Sequence, residues 1–143
     1  MKNIGKQVLV IVASFFGTAA IAADFDGSKT LLCSLAQVVE CDLGTECRSM
    51  TNESVDAPDF VKIDFKRKQV TAISAGVETE PDEIDNIIDL SSYLVVQGVQ
   101  GGAKGTADTL GWSATINHVT GQLVLTASGE NAGFVVFGAC TPD

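Results

Sequence analysis

The 143-residue sequence predicts an all-β domain, a small antiparallel up-and-down β-barrel of about eight strands, with a β-sandwich as the alternative. Three observations carry this expectation. After the first two dozen positions, apolar residues recur mostly with a period of two rather than the helical ~3.6. Turn-forming residues divide the second half into consecutive short runs, as in a meander. Two of the cysteines, Cys33 and Cys140, stand near opposite ends of the patterned region. A bond between them would lay the first strand beside the last, and a sheet closed in that way has no exposed edge.

Residues 1–22 read as a leader rather than as part of the fold. Lys2 and Lys6 form a positive start, an apolar run follows from Val8 to Phe16, and Gly17 and Thr18 break it. The small residues Ala19, Ala20, Ala22 and Ala23 come next, which is the three-part layout of a secretory signal peptide. Ala20-Ile21-Ala22 supplies the small-x-small pattern and places the cut before Ala23, with the position before Asp24 as its neighbour. The competing reading is an uncleaved anchor, but the apolar run is shorter than the ~20 residues a spanning helix needs. The mature chain, 23–143, is then a single domain. No membrane span is expected after cleavage, and the expected location is the periplasm or the medium.

The strands follow in order. Thr30 to Glu40 carries Leu31, Leu32, Val38 and Val39 and reads as a strand leading to Cys41, with a short helix as the alternative. Phe60 to Phe65 alternates apolar residues against Lys62 and Asp64, Lys66-Arg67-Lys68 turns the chain, and Gln69 to Ile73 returns as a hairpin. Ile84 to Leu90 is ambiguous. Pro81 and the acids after it could start a helix, whereas the alternation Ile84/Asn86/Ile88/Leu90 fits a strand hairpinned through Ser91-Ser92, and the strand is preferred. Tyr93 to Val99 is a nearly continuous apolar strand. Leu110 to Asn117 puts Trp112, Ala114 and Ile116 on one face. His118 to Gly121 turns, with Gly121 suited to positive φ. Gln122 to Ser128 aims Leu123, Leu125 and Ala127 inward. Gly133 to Cys140 closes the domain, with Phe134, Val136 and Gly138 on the face of Cys140. The stretch 100–111 is a Gly-rich loop, long for a hairpin.

Charge and cysteine usage exclude several classes of function. There are 9 Lys and Arg against 18 Asp and Glu, so a nucleic-acid binder is disfavoured. Residues 1–22 carry two lysines and no acid, so their removal takes the net charge from −9 to −11. Such a domain is soluble, and a basic partner fits it. Four cysteines in an exported chain read as two disulfides with three possible pairings. Cys41 and Cys47 enclose only five residues, which favours a local staple there and leaves Cys33 for Cys140. The spacing is not that of a zinc site or a CxxC redox pair, and His118 is the only histidine. No metal and no cofactor are expected.

Few side chains are placed to carry chemistry. Glu78 to Asp89 holds six acids and no base. It lacks the ligand positions and central Gly of a calcium loop and reads as a solvated acidic face. Within it, Glu80, Asp82, Glu83 and Asp85 are the candidates for docking a basic protein. The run Gly101 to Thr106 has Lys-Gly-Thr where a phosphate loop needs Gly-Lys-Thr, and it lies between strands rather than before a helix. His118 falls at a turn tip and is expected to be exposed. Neither a nucleophile elbow nor a free Cys/His pair is present. Tyr93 and Trp112 both begin strands, where a barrel mouth would lie; they are the candidate ligand-binding residues, with core packing as the plainer reading.

Several strings resemble a family of small exported bacterial proteins of uncharacterised function. They are Phe25-Asp26-Gly27-Ser28-Lys29 leading to Leu32-Cys33, the strand from Phe60 to Phe65, Gln97-Gly98-Val99, Gly111-Trp112-Ser113, and the stretch from Thr120-Gly121 to Gly133-Phe134 and Cys140. The resemblance implies an exported domain and brings no activity with it; the segment 100–111 is longer than the family pattern. The barrel itself resembles lipocalin-like barrels. A weaker resemblance is to periplasmic lysozyme inhibitors of the eight-stranded barrel type. Ser128-Gly129 is similar to their Ser-Gly-x-x-Tyr loop, but Ala132 stands where the Tyr belongs. The expectation is an exported, non-enzymatic binding protein for a small apolar ligand or a basic protein. The alternatives are an inhibitor of a basic protein such as lysozyme and an envelope structural or stress protein.

Overall fold

A computed structural model describes residues 24–101 and 109–143. The expected leader with its cut before Ala23, and most of the Gly-rich run that was compared with a phosphate loop, lie outside the described residues. The remainder is a closed antiparallel barrel. Its elements are β1 (Leu31–Asp42), β2 (Arg48–Met50), β3 (Phe60–Asp64), β4 (Gln69–Ser74), β5 (Val77–Glu78), β6 (Asp82–Leu90), β7 (Tyr93–Gln100), β8 (Leu110–Asn117), β9 (Gln122–Ser128) and β10 (Ala132–Pro142). A single 3₁₀ turn spans Glu53–Val55.

The wall runs β1-β3-β4-β6-β7-β8-β9-β10, and β10 returns to pair with β1 from Leu31↔Pro142 to Asp42↔Ala132. Eight strands therefore close the barrel, and the up-and-down order follows the chain. β2 folds back onto the upper part of β1. β5 and β6 act as one bent strand along β4: Ile73 pairs with Glu78, Val70 pairs with Asp82, and between them the Thr79 amide donates to the Ala72 carbonyl. Pro81 sits at the bend, where a residue without an amide hydrogen is tolerated.

Two bulges set the phase of the wall. One lies in β1 between Leu35 and Gln37, so that Leu31, Cys33, Leu35 and then Val38 face inward. The other lies in β6 between Ile84 and Asn86. The extra residue shifts the alternation by one position. The strand expected from the alternation Ile84/Asn86/Ile88/Leu90 forms, but the four residues do not share one face. Ile84 is buried and Ile87 packs against the core, while Ile88 and Leu90 are exposed.

The two ends of the barrel differ. At the floor, Leu31, Ile63, Leu94, Ile116 and Leu123 are fully buried, and Phe25 and Phe65 pack against them. Segment 24–30 crosses beneath this layer. A β-carbon on Gly121 would stand 2.6 Å from the Phe25 ring, and one on Gly27 would stand 3.4 Å from Leu94. Both glycines have positive φ, 67° and 84°, so each supplies a turn and a bed for a neighbouring side chain. At the opposite end lie the long β1–β3 connection, the Ala75-Gly76 turn, the paired strand ends Gln100 and Leu110 and the β9–β10 turn.

Both disulfides form as the spacing suggested. Cys33 and Cys140 are direct partners across the closing seam, at a Cα–Cα distance of 3.8 Å, and they join positions 107 residues apart. Cys41–Cys47 staples the turn between β1 and β2. Beside it, Arg48 Nη2 bridges to Asp42 at 2.8 Å and Glu40 at 3.3 Å.

Candidate functional site

Above the floor the inward side chains shorten and the barrel is hollow. The cavity has a volume of about 280 Å³, just under the roughly 300–1,000 Å³ of typical small-molecule sites. Its wall is apolar: Leu35 on β1, Val61 and Ile63 on β3, Val70 and Ala72 on β4, Trp112 and Ala114 on β8, Leu123, Leu125 and Ala127 on β9, and Phe134 and Val136 on β10. The strand alternation explains the set, since each side chain occupies an inward position two residues from the next. Asp56, Ala57, Pro58, Asp82, Gln100 and Leu110 line the mouth, where Asp56 and Gln100 are exposed to solvent.

Trp112 supplies the largest flat surface of the wall. It is the cross-strand partner of Gly98. A β-carbon on Gly98 would lie 2.5 Å from the indole and 2.7 Å from the Glu83 carbonyl oxygen. The absent side chain lets the ring lie against β7, a cross-strand packing in which an aromatic covers a glycine. A larger residue at position 98 would push the indole off the wall.

The mouth is crossed by the β1–β3 connection, and Asn52 pins it. The Asn52 side-chain amide donates to the Leu35 carbonyl at 2.9 Å and to the Pro58 carbonyl at 3.0 Å. Its backbone carbonyl accepts from the Ala57 amide at 2.9 Å. Leu35 stands at the β1 bulge, so its carbonyl is free of the regular ladder and available to this partner. Asp56 then reverses the chain with φ of 51° and sets Asp56-Ala57-Pro58 over the opening. No spacing rule in the sequence marks Asn52 as a lid anchor.

The expected aromatic pair does not share a rim. Trp112 lines the cavity, whereas Tyr93 is exposed at the floor end and pairs with Asn117. Antiparallel neighbours begin at opposite ends of a barrel, so two residues that both start adjacent strands cannot meet at one mouth. The acidic candidates are also divided. Asp82 turns inward to the mouth and accepts a 3.4 Å hydrogen bond from the Gly101 amide. Glu80, Glu83 and Asp85 are exposed. Alternation separates Asp82 from Glu83 and turns Asp85 outward on the other side of the buried Ile84.

His118 also departs from expectation. Its side chain is only 13% exposed and Nε2 lies 3.4 Å from Asp89. It sits at the floor end, remote from the cavity lining. Among the described residues, no group of three His, Cys, Asp or Glu is placed to hold a metal ion.

Fold and site together define a closed eight-stranded barrel with an apolar interior chamber, open at one end. In comparisons with known proteins, no family model matches the chain, no curated protein matches it, and no solved structure matches it. These comparisons neither support nor contradict the resemblances noted in the sequence.

Proposed function

We propose that this is an exported, non-enzymatic binding protein that holds a small apolar ligand inside its barrel. The observation that carries the reading is the apolar chamber of about 280 Å³ with Trp112 in its wall. A barrel with no role for its interior would gain stability by filling that volume with side chains, as the floor does. Two disulfides favour an oxidising compartment, and among the described residues no helix is long and apolar enough to cross a membrane. The disulfides support the periplasmic or secreted location that the leader implies.

Trp112 is the only tryptophan, so its emission reports the chamber directly. Decanol titrated into the oxidised protein is expected to give a saturable change in that emission. Native mass spectrometry of the same sample is expected to show one added ligand mass. Emission that stays constant at saturating decanol, with no added mass, would overturn the reading.

A further inference from the structure

The chamber is uncharged, but its mouth is not. Asp56 and Asp82 line the opening, and Glu53 and Asp59 border an adjoining hollow that shares Asp56 and Ala57. Among the described residues, no Lys, Arg or His lines the chamber or this hollow. Arg48, on β2 at the same end, is held by Glu40 and Asp42. Lys66, Arg67 and Lys68 lie in the β3–β4 turn at the floor end.

We propose that the ligand is an amphiphile with an apolar body and a cationic head, such as a long-chain amine, bound with its head between Asp56 and Asp82. This rests on the chamber being a binding site and adds the charge and direction of the ligand. An apolar tail gains by leaving water for the wall of Leu125, Phe134 and Trp112. A carboxylate or phosphate head would meet like charge at the mouth. An ammonium head keeps part of its hydration there and meets two carboxylates where the low-dielectric wall weakens screening. The arrangement also orders the ligand, since a charge buried at the floor would find no partner among the side chains of that layer.

Three probes of one chain length separate the two readings: decylamine, decanol and decanoate, each titrated at neutral pH and low salt with Trp112 emission and calorimetry. The amine is expected to bind about tenfold tighter than the alcohol, equivalent to about 1.4 kcal/mol, and the alcohol tighter than the acid. Added salt is expected to narrow the gap. Asp82→Asn combined with Asp56→Asn is expected to bring the amine and alcohol affinities together. Glu130→Gln, in the β9–β10 turn at the same end but outside the lining, is expected to keep them apart. Equal affinities for all three probes, or tightest binding of decanoate, would overturn the cationic-head proposal and leave the apolar chamber standing. Failure of all three to bind would remove both.

Discussion

Gly98 and Trp112 show how one missing side chain shapes the chamber. Gly98→Ala is expected to displace the indole, because the new β-carbon would fall 2.5 Å from it and 2.7 Å from a backbone oxygen. Overpacking of this kind costs about 1–3 kcal/mol; here it is also expected to shift Trp112 emission in the free protein and to weaken decanol binding. Unchanged emission and affinity would show that the ring does not depend on Gly98. Burial separates floor from wall. Ile116, fully buried, is expected to cost about 2–5 kcal/mol on replacement by Ala. Leu125 already borders empty space, so Leu125→Ala forfeits fewer contacts and is expected to cost less. Chemical denaturation of the two variants checks the order, and equal losses would argue that the chamber is filled. At the floor, the Ser28 hydroxyl and then the Ser28 amide, which donates to the carboxylate at 2.9 Å, hold the Asp26 carboxyl below its ordinary value. A lowered carboxyl stabilises the fold fully above its unfolded value, and the contribution is lost as pH falls through the lower, folded value. Asp26→Asn is expected to flatten the acid side of the stability curve below the ordinary Asp range, while neutral and alkaline pH are little affected. Urea midpoints measured across that range test it, and an unaltered acid limb would count against it.

At the scale of elements, the β1–β3 connection does more than join two strands. Asn52 ties it to the β1 bulge and to Pro58, so the lid is held by one side chain rather than by a core of its own. Asn52→Ala leaves two carbonyls without that donor. The expected loss is about 1–3 kcal/mol, together with faster entry and release of decanol in stopped-flow measurements of Trp112 emission. Unchanged rates would show that the lid is held by other contacts. The β6 bulge has the opposite character. It spends one residue to return Ile87 to the core side and leaves Ile88 facing solvent, which no count of alternating residues would have anticipated.

For the whole molecule, closure depends on the β1–β10 seam. Cys33–Cys140 joins positions 107 residues apart, and a loop of about 100 residues is worth ~4.7 kcal/mol in the chain-entropy account. Cys41–Cys47 closes a loop of six positions, worth about 2 kcal/mol on the same scale. Gly138 lies on this seam, where a β-carbon would fall 2.1 Å from the Ser34 carbonyl oxygen, so the strands approach too closely there for any other residue. Replacing both Cys33 and Cys140 by Ala is expected to lower the denaturation midpoint well beyond the loss from replacing Cys41 and Cys47. Equal losses would mean that the seam's hydrogen bonds and packing, rather than the covalent link, hold the barrel shut.

Much of the architecture was legible from residue order alone. Period-two runs placed β8 and β9 with their inward faces, because an antiparallel strand with one buried side must alternate. Cysteine spacing gave the pairing, because a five-residue gap suits a local staple. The strands' regular turns implied a closed meander. What residue order could not convey was height along the barrel. Tyr93 and Trp112 look equivalent as strand starts, yet the antiparallel connection puts one at the floor and the other in the chamber. Asp82 and Glu83 look like one patch, yet the pleat turns one to the mouth and the other to solvent. Asn52 acquires its role only because the β1 bulge frees a carbonyl within its reach. Local periodicity is a property of neighbours in the chain. A chamber is made by residues from eight strands and a loop, and its existence depends on how much of the enclosed volume their side chains leave unfilled.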